Sequence, residues 1–186
     1  MLGTRRATAR TRVTAHVRQT LKIVTPGGYV AFVVADDWVV LSMQSKLPMA
    51  TAAFQIPNSA DAGTPESTNL LLRLYDPKSE SARAAFDSAV KSYGTQPPVR
   101  TEFGSWTLYQ QESSQNDVPY TILDAKSSNV GDVSVSARLA WPHLKQNPAD
   151  YDARMAALFR SLLTNVEGKL GAYVPQPGEV TWRPGA

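Results

Sequence analysis

The chain has 186 residues, 42% of them hydrophobic and 19% charged, with a formal charge of +3 and no cysteine. That length suffices for one domain with its own core, and no apolar run approaches the roughly 20 residues that a membrane-crossing helix needs. Without cysteine, disulfides, thiolate metal sites, a cysteine nucleophile and a lipid anchor on cysteine are all excluded.

The sequence pI of about 9.2 suggests a nucleic-acid binder until the charge is located. Residues 1–35 hold six basic groups (Arg5, Arg6, Arg10, Arg12, Arg18, Lys22) and no acid, whereas the rest holds thirteen basic and sixteen acidic residues. The basic character belongs to the leader. A mildly acidic body without clustered Lys or Arg is a poor phosphate binder, so no nucleic-acid partner is expected.

Residues 1–28 read as a Thr/Arg/Ala-rich basic extension, with few large apolar groups up to Lys22. Residues 29–35 (YVAFVVA) allow two readings. They resemble a short export signal with a cleavage site before Asp36-Asp37, or they form a buried strand. The first reading implies export, with a periplasmic or envelope location.

Residues 38–45 and 49–56 are strand-like runs joined by Lys46-Leu47-Pro48, a link short enough for an antiparallel pair. Ala50, Ala52, Phe54 and Ile56 share one face. A turn-rich loop follows at 57–67, then a strand at 68–75 apolar enough to be covered on both faces. Asp76-Pro77 predicts a helix start, Ala82, Phe86, Ala89, Val90 and Tyr93 its apolar stripe, and Gly94 its end.

Gln96-Pro97-Pro98 reads as a rigid connection. Strands are predicted at 105–112 and 118–125, around a polar hairpin loop. Residues 132–141 (DVSVSARLAW) alternate strictly, with Val133, Val135, Ala137, Leu139 and Trp141 on one face. Asn147-Pro148-Ala149-Asp150 then starts a helix, on which Tyr151, Met155, Leu158, Phe159, Leu162 and Val166 fall together. Gly168 is expected to close it. Residues 171–186 form a Pro/Gly-rich tail from which Tyr173, Val174 and Trp182 can dock.

The expected fold is α/β (α+β), one domain over 29–170. Its mainly antiparallel six- to seven-stranded sheet carries helices on its faces, in the order βββαβββα.

Within this pattern, residues 38–58, the 106–125 hairpin and residues 133–166 carry a likeness. A Trp-containing strand leads to a Phe-x-Ile-Pro-Asn turn, and an Ala-Trp-Pro strand end precedes a last helix. Over about three quarters of the chain, this order resembles the PsbP/MOG-like superfamily. That family includes photosystem accessory subunits, a Ran-binding nuclear protein, bacterial envelope proteins and chaperones of secretion effectors. The resemblance implies a mostly non-catalytic role in binding another protein. No functional motif of the family is matched, so no residue role transfers, and the leader and tail depart from the pattern.

Few residues offer chemistry. The histidines are His16 and His143, and no serine in a nucleophile setting accompanies His143 at its strand end. No metal-ligand spacing occurs, so no metal and no cofactor are expected. Asp36-Asp37 reads as a loop or processing site, and Asp150 and Asp152 as acids favoured by a helix N-terminus. Gly27-Gly28 has no phosphate-loop context. Tyr109, Gln111 and Arg138 are the candidate partner-binding residues, because they fall on sheet faces opposite the apolar positions. If no helix covers that face, they form a patch.

The leading expectation is a non-enzymatic accessory protein that binds another protein, in a bacterial envelope or secretion setting as an immunity or chaperone protein. The alternative is a small-molecule binder or hydrolase with a cleft near His143.

Overall fold

The computed structural model of the chain describes residues 18–46, 48–56, 67–93, 96–175 and 177. Residues 1–17 of the leader with His16, Leu47, residues 57–66 of the turn-rich loop, Gly94, and Trp182 in the tail lie outside the described residues.

The described residues begin with a hairpin of β1 (Arg18–Thr25) and β2 (Gly28–Ala35). Three strands follow, β3 (Val39–Lys46), β4 (Met49–Ile56) and β5 (Thr68–Tyr75), then helix α1 (Glu80–Asp87). Next come β6 (Val99–Phe103), β7 (Trp106–Gln115), β8 (Val118–Val130) and β9 (Val133–Pro142). Helix α2 (Tyr151–Thr164) and β10 (Glu167–Leu170) complete the described elements. The protein is a mixed α/β molecule dominated by antiparallel sheets. One has seven strands in the order β3-β4-β5-β9-β8-β7-β6, and a second has three in the order β1-β2-β10.

Side-chain alternation turns this register into two faces. Leu70, Leu72 and Leu74 stand opposite Leu139, Ala137 and Val135, and all six are buried. The small sheet and α2 close over this inner face, with β2 and α2 both against β9. On α2, Tyr151, Met155, Phe159 and Leu162 are buried, as the apolar stripe requires. Asp124, Lys126, Ser136 and Arg138 lie on the outer face, with α1 beside it.

The element order differs from the expectation of three strands, helix, three strands, helix. Among the described residues, five strands precede α1, four lie between the helices, and one follows α2. The expected domain boundary at residue 29 falls inside the β1–β2 hairpin, because Ile23 and Thr25 are buried in a strand that pairs along the whole of β2. Of the two readings of residues 29–35, the strand is the one the fold contains: Val30, Phe32 and Val34 are core residues. β6 follows the Gln96-Pro97-Pro98 connection, on residues for which the sequence predicts no element. It is an edge strand exposed over four of its five residues, so it carries no apolar alternation to detect.

Both helix ends also differ. Asp76 does not open α1: its Oδ1 accepts the backbone N–H of Lys78 at 3.0 Å, a local turn. The helix stops at Asp87, where the Ser88 hydroxyl donates to the carbonyls of Ala84 and Ala85, so Ala89, Val90 and Tyr93 lie beyond it. α2 ends at Thr164, before Gly168. Gly168 belongs to β10, where it pairs with Val30. Asn147 donates from Nδ2 to the Pro142 carbonyl at 2.7 Å, which leaves Asp150 at the cap position.

Candidate functional site

Three places on the molecule bring chemistry together. The first is the outer face, where the candidate residues Tyr109, Gln111 and Arg138 stand. Strand alternation puts all three there, but a covering segment takes two of them out of play. After α1 the chain runs back over the sheet. Gln111, only 6% exposed, accepts the Tyr93 N–H at 2.9 Å and donates to the Lys91 carbonyl at 2.7 Å. Arg138 forks Asp124, Nε to Oδ1 at 2.7 Å and Nη2 to Oδ2 at 3.1 Å. It also donates to the Tyr93 hydroxyl and lies over the Tyr93 ring.

Asp124 is 3% exposed. Burial pushes its carboxyl above the ordinary range, against the pull of Arg138. For Arg138, burial works against the charge, but the hydrogen bond and charge of Asp124 outweigh it and raise the pKa. This cluster holds the 88–93 segment down. Of the three candidates, Tyr109 alone stays beside an open cavity.

The second place is the corner at His143. Sequence neighbours supply this imidazole with neither a hydroxyl nor an acid, but the fold does. Thr121 of β8 pairs with Trp141, which brings its hydroxyl to 2.7 Å from His143 Nε2. Glu112 of β7 accepts from the same hydroxyl at 3.0 Å. Asp152 of α2 puts Oδ2 3.6 Å from Nδ1, while its Oδ1 accepts the Trp141 indole N–H at 2.8 Å.

Hydroxyl, imidazole and carboxylate thus fall in the order that nucleophilic catalysis uses. Access is what the corner lacks. Thr121 is 4% exposed, and its single proton cannot serve Glu112 and His143 together. Glu112 and Asp152 approach opposite ring nitrogens, so the three do not converge on one metal position. Register was the only signal that foretold Thr121, and register is not legible before the strands are paired.

The third place is the β3 edge. β3 ends the seven-stranded sheet, and Val39, Val40 and Leu41 are 51%, 52% and 53% exposed. Leu41 has no partner on β4, because the register shifts between Val40 and Ser42. The bulge turns successive apolar side chains out along the edge. Just before β3, Trp38 lines a cavity of about 320 Å³ with Val33, Val34, Leu158 and Leu162, and Arg18 at its side. The exposed apolar edge and this cavity therefore meet at Trp38. Among the described residues, no helix is long and apolar enough to cross a membrane.

No family model matches the chain, and no curated protein matches it either. Among solved structures, it is similar to the crystal structure of LpqN, involved in cell envelope biogenesis of Mycobacterium tuberculosis. The identity is 15%, over 82% of this chain and 91% of that one, with a TM-score of 0.43.

Proposed function

We propose that the protein is a non-enzymatic accessory protein that binds an extended segment of another protein by strand addition along β3. One observation carries this reading: three successive apolar side chains stand half exposed on an edge strand whose single charged residue, Lys46, lies at the opposite end. Edge strands are ordinarily guarded by a charge, a proline or a covering element, because an open apolar edge invites pairing. The cavity beside Trp38 gives such a segment a place for one large apolar side chain.

A second copy of the chain, paired β3 to β3, is the competing occupant, which the mass of a crosslinked adduct distinguishes. The PsbP/MOG-like resemblance, and the envelope or secretion setting it implies, belong to the same proposal.

The test is site-specific photo-crosslinking in the native host, with the reactive amino acid at position 41 and, as control, at the exposed position 154. A discrete adduct from position 41 alone, lost when Val40→Lys is added, is expected. No adduct, equal adducts at both positions, or an adduct of twice the chain mass would overturn the reading. The hydrolase alternative at His143 has the contacts described above without an open hydroxyl.

A further inference from the structure

We propose that the trench on the outer face, between α1 and the β6–β7 turn, is a binding site for a neutral oligosaccharide. Two cavities, about 450 Å³ beside α1 and about 350 Å³ beside the β6–β7 turn, share Phe86 and Ser128 in their linings. They adjoin at these two residues, and each lies in the size range of small-ligand pockets, about 300–1,000 Å³.

The floor belongs to β7, β8 and β9, each hydrogen-bonded to a neighbour on both sides. Most of their backbone donors and acceptors are spent in the ladder, which breaks at Ser128 and Asn129 where the β8–β9 register shifts, so a peptide strand finds no continuous edge here and recognition falls chiefly to side chains. The charged side chains are largely occupied. Glu102 takes Arg100 on Oε1 and the Thr107 hydroxyl on Oε2. Asp76 accepts the Lys78 N–H. Lys126 donates to the Asp87 carbonyl and sits 4.4 Å over the Phe86 ring. Arg83 and the Asp87 carboxylate, both exposed on α1, are the exceptions, without a side-chain hydrogen bond among the described residues.

What remains is a set of hydroxyls. Ser105, Tyr109, Ser128 and Ser134 line the trench, and no hydrogen bond to a described residue holds their side-chain oxygens. The Asn129 amide stands among them. A hydroxyl both donates and accepts, so its natural counterpart is another hydroxyl. An apolar ligand would bury these groups unpaired. The half-buried ring of Tyr109 supplies apolar surface for the C–H face of a sugar ring.

The test is an amide NMR titration of the full chain with maltotriose, cellotriose and chitotriose, and with trigalacturonate as the anionic counterpart. At least one neutral trimer is expected to shift the amides of Ser105, Tyr109, Ser128 and Asn129 while leaving β3 unchanged. Ser128→Trp, which fills the trench, should weaken that binding at least tenfold. Tyr109→Phe, which keeps the ring and removes one hydroxyl, should weaken it severalfold and guards against a folding defect in the first variant. No shift from any neutral trimer, shifts from trigalacturonate alone, or affinity unchanged in both variants would overturn the proposal.

Discussion

Arg138 holds Asp124 at two points, across adjacent strands, in a site where the carboxylate is almost wholly out of water. Burial raises the Asp124 pKa from its ordinary 3.8 despite that fork. In the window just above 3.8, the folded state therefore binds more protons than the unfolded chain, and stability falls as pH rises. The contribution is fully present below the unfolded value and is lost through the folded one. The stability advantage of wild type over Asp124→Asn is thus expected to shrink as pH rises from 3.8, measured by urea unfolding at several pH values. An advantage that grows over the same window would show that the ion pair outweighs desolvation.

The closest backbone approach around β10 leads to a second expectation. A Cβ on Gly168 would collide with the Val130 carbonyl oxygen, and one on Gly131, at φ +55°, would collide with the Gly168 carbonyl. Both obstacles are backbone, which cannot swing aside as a side chain can. Gly168→Ala should cost about 3 kcal/mol, the upper end of overpacking. Lys169→Ala, on the exposed side of the same strand, should stay within about 0.5 kcal/mol. Equal effects in chemical denaturation would mean that β10 is not held against the β8–β9 turn.

These glycines also show where the sequence is legible. β4 and β5 occupy the predicted residues and β9 is displaced by one, because strict alternation or a dense apolar run marks a strand without knowledge of its neighbours. Gly168 looks like a helix terminator because its real cause is a strand 38 residues upstream, which only the fold brings near. β6 escapes because an exposed edge strand has no apolar face. The outer-face cluster was half legible: alternation places Tyr109, Gln111 and Arg138 together, but not the segment that covers two of them. Thr121 and Asp152 reach His143 through strand pairing and helix docking, and local pattern records neither.

Phe159 is where the apolar stripe of α2 meets the inner face, and it is 1% exposed. Truncation removes most of a buried ring from between the helix and the sheet. Phe159→Ala should cost about 3–5 kcal/mol, read from thermal or urea unfolding of the full chain. Leu158, partly buried beside the cavity at Trp38, should tolerate Leu158→Ala better, with about 1 kcal/mol. The reverse order of the two would place the wrong helix face on the core.

The Thr121–His143–Asp152 corner gives the sharpest contrast between binding and catalysis. To attack a carbonyl, the Thr121 oxygen must lose its proton to Nε2 of His143 and face a substrate. Glu112 accepts that same proton at 3.0 Å, and the strand buries the hydroxyl. The contacts instead join β7, β8 and the N-terminal turn of α2. His143→Ala and Thr121→Val should each lower stability by about 1 kcal/mol, the net worth of a hydrogen bond, with no loss of partner capture at β3. Purified wild type should give neither a burst nor turnover with short-chain nitrophenyl esters. Turnover that disappears in both variants, with the fold intact by circular dichroism, would make this corner an active site and overturn the non-enzymatic reading.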